Sequence, residues 1–92
     1  MKVALCFIIS YKHIVNKEQI WIDWIEPNKD IINVYFHYTN FSLIKSEWIK
    51  KHVLPKEFIM HTDYAHVVPA YLSLLLYGLT TDEENKWFCF KI

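Results

Sequence analysis

Val3, Ala4, Leu5, Cys6, Phe7, Ile8 and Ile9 form an unbroken apolar run near the start of the chain. A strand with one wet face alternates polar and apolar residues, so a run without alternation is the pattern of a strand covered on both faces, as in a parallel sheet between helices. Asn16 suits a helix cap, and Gln19, three residues on, completes a capping-box-like pair. Ile20, Trp21, Trp24 and Ile25 then share one helical face, and Pro27 and Asn28 end the segment. Residues 31–36, rich in β-branched and aromatic side chains, predict a second strand.

Ser42 is the next expected cap, followed by a buried helical stripe of Leu43, Ile44, Trp48, Ile49 and Val53. Lys50, Lys51 and His52 suit the negative end of that helix. Pro55 breaks the pattern, and residues 58–62 predict a short third strand. Pro69 fits the first turn of a third helix. Residues 70–79 are apolar nearly all round, which predicts the most deeply buried helix of the fold. After a polar turn at residues 80–85, residues 86–92 predict a fourth strand. Strands and helices alternate, which predicts a three-layer, doubly wound, mostly parallel α/β sheet of four strands in the order 3-2-1-4. In such a sheet the ligand crevice opens at the carboxyl ends of the first and fourth strands, where the winding reverses.

A chain of 92 residues holds one domain, and 53% hydrophobic against 22% charged residues requires a packed core. All 10 basic residues are lysine and Gly78 is the single glycine, so no glycine-rich loop exists to wrap a phosphate, as a P-loop or a Rossmann fingerprint would. The same bias toward residues with A/T-rich codons is expected of an AT-rich genome; the base composition of the locus tests this. Ten acidic residues balance the lysines, so no overall field draws the chain to nucleic acid or to anionic lipid, and neither is expected as a partner. Cys6 and Cys89 sit in apolar runs without metal spacing and read as buried thiols in a reducing compartment, a disulfide between neighbouring strands being the alternative. The run at residues 3–9 is too short for a typical signal sequence and far below a membrane span.

Ile8, Ile9, Ser10 and Tyr11 at the end of the first strand, the stretch Val34, Tyr35, Phe36, His37, Tyr38, Thr39 and Asn40, the segment from His66 to Leu74, and Trp87, Phe88, Cys89 and Phe90 together resemble the N-terminal half of the core-2/I-branching-type (β-1,6-N-acetylglucosaminyltransferase-like) glycosyltransferases. The divergent members carried by large DNA viruses are the nearest in pattern. The resemblance covers almost the whole chain but only the front of that family's domain. It implies a GT-A/Rossmann-like half-domain that meets a nucleotide-sugar donor without cofactor or metal, through Ile9, Ser10, Tyr11, Tyr38, Thr39 and Asn40. Thr39 stands where the family usually carries an acidic residue. The family's catalytic glutamate and diphosphate-neutralising cations would lie beyond Ile92, so the expectation is partial nucleotide-sugar binding without catalysis, and hexosyl or N-acetylglucosaminyl transfer only within a longer chain.

His37 joins these candidates on position alone, because it ends a strand beside the crevice, where it is either a base or ribose contact or a histidine satisfied by backbone. Tyr11 and Tyr38 are either stacking partners for a uracil-like ring or core packing. His61, Asp63 and His66 lack a helical pair or a cysteine partner, and no metal site is expected. Glu18, Asp23, Glu26 and Glu47 read as solvated helix carboxylates rather than catalytic groups. The rival expectation, from a different class, is a non-enzymatic α/β interaction module that self-associates through its exposed sheet edge. Either protein is expected in the cytoplasm, the host's if the chain is viral.

Overall fold

A computed structural model describes residues 1–9, 18–38, 42, 44–60 and 68–91. Three strands, β1 (Lys2–Ile9), β2 (Ile32–Tyr38) and β3 (Asn85–Lys91), form one sheet in the order β2-β1-β3, and both ladders are parallel. Helices α1 (Glu18–Ile25), α2 (Glu47–His52) and α3 (Val68–Thr81) cover its faces, giving an α/β fold. β1 is central, with Ala4 through Ile8 all buried, which is why its sequence carries no polar alternation.

The two faces follow from the two-residue period of a strand. On one, Leu5 and Phe7 of β1 and Ile32, Val34, Phe36 and Tyr38 of β2 pack against Ile25 of α1 and Ile49 of α2. Phe7 stacks on Phe36 at 4.8 Å between ring centroids, and Trp21 meets Phe7 edge-on at 5.1 Å. On the other, Ala4, Cys6, Ile8 and Tyr35 pack against Ala70 and Leu74 of α3. Gly78 lets α3 approach closely: a Cβ there would stand 2.8 Å from Phe88 Cε2.

Four expectations need correction. The expected third strand is not formed over residues 58–60: Phe58 belongs to a 3-10 turn, Lys56–Phe58, because its N–H donates to Pro55 O (2.9 Å). Beside β2 the chain makes a single parallel bridge, Val53 to Phe36, with the Leu54 N–H on Phe36 O at 2.9 Å. The cap of α2 is Ser46 rather than Ser42, its hydroxyl accepting the Ile49 N–H (3.2 Å). Helix α3 is buried along one stripe only, Ala70, Leu74 and Gly78, because one layer of sheet lies under it and nothing described lies over it; Leu72 is 60% exposed. Finally, Cys6 is buried but Cys89 is exposed, because β3 is an edge strand. The two thiols are free and belong to opposite faces, since Cys89 registers with Leu5 and not with Cys6. Asn16, the expected cap of the first helix, lies outside the described residues.

Candidate functional site

At the carboxyl end of the sheet, Ile8 registers with His37 and Ile9 with Tyr38, so three of the expected ligand residues are backbone neighbours, with Ile9 and Tyr38 on one face of the sheet and His37 on the other. Ser10, Tyr11, Thr39 and Asn40, like His61, Asp63 and His66, lie outside the described residues. Ile9 is half-buried against the core on the α1 side. Tyr38 is 1% exposed within that same core, and burial, with Glu18 adding repulsion, pushes its phenol up to about 12.

His37 is fully buried on the α3 side, and its Nε2 accepts the Met60 N–H at 2.9 Å. An accepting Nε2 fixes the neutral ring with its proton on Nδ1, and Nδ1 has no hydrogen-bond partner among the described residues. Burial lowers the pKa of the ring from its usual value, against a smaller opposing effect of its own backbone. The imidazole therefore fastens the segment after the Lys56–Phe58 turn to β2.

The helix carboxylates have structural neighbours. Glu26 accepts from Trp48 Nε1 (3.3 Å) and pairs with Lys29 (3.2 Å), Gln19 donates to Asp23 (2.8 Å), and Glu47 pairs with Lys50 (3.4 Å). No group of three or more His, Cys, Asp or Glu side chains is placed to hold a metal ion among the described residues. A cavity of about 240 Å³ lies along the outer margin of β2, lined by Ile25, Lys29, Ile32, Asn33, Val34, Tyr35 and His52.

Sequence reasoning missed a polar cluster at the amino end of the sheet. Asn33 Nδ2 donates to Asp82 Oδ2 (2.9 Å) and Asn85 Oδ1 (2.8 Å), and Lys2 Nζ reaches Asp82 at 3.0 Å. Asn85 Nδ2 donates to the Tyr35 hydroxyl (3.0 Å) and Gly78 O (2.9 Å). These residues are scattered along the chain, and their only local signal is an asparagine inside an apolar strand.

Among the described residues, the β3 edge of the sheet is unpartnered. Val3 N–H donates to Ile31 O toward β2, so the even residues Ala4 and Cys6 direct their backbone toward β3. Ala4 registers with Phe88 and Cys6 with Phe90; a parallel residue bonds to the neighbours of its partner, so Trp87 and Cys89 face β1. The N–H and C=O of Phe88 and Phe90 therefore point away from the sheet, with no partner among the described residues. Side chains alternate across the same strand. Trp87, 63% exposed, and Cys89 share one face, while Phe88 and Phe90 lie on the α3 side, where Phe90 meets Tyr71 at 4.8 Å.

Helix α3 extends this edge. Its residues advance about 100° each. Tyr71 marks the flank toward β3 through Phe90, and Tyr77 marks the opposite flank through Tyr35, at 5.7 Å. Going round from Tyr71, Leu75, Val68 and Leu79 follow in angular order, with Val68 63% and Leu79 48% exposed, and then Leu72 (60%) and Leu76 (59%) straddle the crest opposite the buried stripe. Going round from Tyr77 come Ser73 and Thr80. Beside the crest leucines, exposed apolar residues thus lie on the flank that adjoins the open strand, whereas the opposite flank carries Ser73 and Thr80.

Comparison with protein-family models, with curated proteins and with solved structures gave no match.

Proposed function

We propose that this chain is a non-enzymatic α/β interaction module that works by strand pairing at the β3 edge. The observation that carries the reading is the coincidence of unpaired Phe88 and Phe90 backbone groups with exposed Trp87 and the apolar flank of α3. An open edge with apolar neighbours supplies backbone hydrogen bonds and burial to an added strand together. Hydrogen exchange tests it, with a synthetic peptide of residues 85–91 as the strand probe. The Phe88 and Phe90 amides should exchange fast in the dilute chain, and the probe, or raised protein concentration, should slow them. Cys89, whose N–H is directed to Ala4 O of β1, serves as the reference. Unchanged exchange at Phe88 and Phe90 under both conditions rejects the reading.

A second reading, a partial nucleotide-sugar site in a glycosyltransferase-like half-domain of viral type, is supported by the adjacent strand ends that carry Ile9, His37 and Tyr38 and by the Nδ1 of His37, which has no hydrogen-bond partner among the described residues. In that reading a fourth strand beside β2 completes the order 3-2-1-4. Titration with uridine diphosphate, followed by the chemical shifts of Ile9, His37 and Tyr38, tests it; silence at millimolar nucleotide ends it. Both readings place the chain in a reducing compartment such as the cytoplasm, supported by two free cysteines. No helix among the described residues is long and apolar enough to cross a membrane.

A further inference from the structure

We infer that the partner of the β3 edge is a second copy of this chain, paired antiparallel across a two-fold axis at Cys89. This rests on the edge-pairing function proposed above and names its partner. Identical edges related by a two-fold axis must run antiparallel. The competing arrangement joins β3 of one copy to β2 of the next and propagates as an open filament. That route is obstructed, because Val53 already bridges Phe36 at the outer margin of β2 and the Leu54 N–H occupies the outward carbonyl of Phe36.

The register follows from the free backbone groups. Phe88 and Phe90 present an outward N–H and C=O, and both are satisfied when Phe88 of one copy lies opposite Phe90 of the other. Cys89 then lies opposite its own copy, in a pair that exchanges no backbone hydrogen bonds. The phenylalanines face each other on the α3 side, which brings the Val68 and Leu79 flanks of the two α3 helices toward one another. Trp87, Phe90 and these α3 residues offer on the order of 500 Å² of apolar surface per copy, so the pair reaches the roughly 1,000 Å² total that a specific interface requires.

Cys89 reports the register directly. Directly opposed residues of this kind stand about 4.5 Å apart at Cα, inside the span of a disulfide. Oxidised glutathione takes two electrons from the two Cys89 thiols, forming one intermolecular disulfide and two molecules of glutathione. Cys6 does not interfere: it is buried on the other face, and burial pushes its thiol up to about 12.

The experiment combines sedimentation of the reduced full chain with oxidative cross-linking. Expected are a dimer, nearly complete linkage through Cys89, no linkage in Cys89→Ser, and dimerisation weakened by about tenfold or more in Val68→Lys, whose side chain is exposed and outside the core. Circular dichroism checks that each variant keeps the fold. A dimer that Val68→Lys weakens but Cys89 does not link overturns the register while leaving edge pairing intact. A chain that stays monomeric at millimolar concentration overturns the second copy as partner, and protection of Phe88 and Phe90 by the strand peptide then decides whether the edge reading survives. A dimer indifferent to Val68→Lys and unlinked at Cys89 overturns both.

Discussion

Asn33 and Asp82, far apart in the chain, are joined by a 2.9 Å hydrogen bond from the asparagine amide to the carboxylate. The bond ties the amino end of β2 to the turn that leads from α3 into β3, and Asn85 completes the tie. Asn85 is 1% exposed, so deleting its amide removes three buried hydrogen bonds at once: the one it accepts from Asn33 and the two it donates, leaving the Tyr35 hydroxyl with Thr81 alone and the Gly78 carbonyl with the Asp82 N–H and Thr81. Asn85→Ala is expected to lower stability by about 2–3 kcal/mol, read as a fall in the urea midpoint at unchanged slope.

Asp82 gives this cluster a signature in acid. Hydrogen bonds from Asn33 and Lys2 lower its pKa from 3.8 to about 2. A depressed carboxylate stabilises the fold fully above its unfolded value and loses that contribution as pH falls through the folded one. The stability difference between the wild type and Asp82→Asn should therefore be constant above pH 4 and shrink from about pH 3.8 down to about pH 2. A difference that does not change across this window would contradict the assignment.

The His37 contact with Met60 gives dependence nearer neutrality. Because burial lowers the folded pKa below the usual 6.5, the unfolded chain takes up the proton first. The contribution is present above 6.5 and is lost as pH falls below it. Urea midpoints between pH 7.5 and pH 5 should fall in the wild type and fall less in His37→Gln, whose amide oxygen can still accept the Met60 N–H. His52, also lowered by burial, is separated by the same comparison in His52→Gln.

Helix α2 is six residues long, too short to hold itself, and Ser46 closes its first turn. Ser46→Ala should cost about 1 kcal/mol and speed exchange of the Ile49 amide. Equal loss of protection throughout the chain would show that the cap stabilises more than this turn.

Gly78→Ala sets two effects against each other. Helix propensity favours alanine by about 1 kcal/mol, whereas overpacking costs about 1–3 kcal/mol. The new methyl would stand 2.8 Å from Phe88 Cε2 and 3.6 Å from Tyr35 Cε2, so packing should win and the variant should be destabilised by about 1 kcal/mol. Phe88→Leu in the same chain should recover most of the loss; thermal denaturation of the single and double variants measures it.

Much of this architecture is legible in the chain and some is not, for reasons that particular residues make plain. The apolar run of β1 marks a central strand because both of its faces are covered, and the β-branched run of β2 is equally direct. Helix α3 misleads because a run rich in leucine says what the helix prefers to bury, not whether a layer exists to bury it; Leu72 and Ala70 are both apolar in sequence and differ completely in exposure. Cys89 misleads in the same way, since an edge strand carries the composition of an inner one. Residues 58–60 have strand-forming side chains, yet Pro55 directs its carbonyl to the Phe58 N–H and turns the chain first. Of the expected ligand residues, Ile9, His37 and Tyr38 are joined by strand register, which alternation and length alone already imply. The partner of His37, Met60, is a long-range contact with no local signature.

The position of β1 also orders assembly in time. It pairs with β2, whose residues follow within one helical crossover, and with β3, whose residues emerge last of the three strands. During synthesis the first ladder can close early, while the other side of β1 keeps its hydrogen-bonding groups bare until residues 85–91 leave the ribosome. The nascent chain therefore passes through a stage in which its central strand is itself an open edge, and the rate of that last docking step sets how long it is exposed to aggregation.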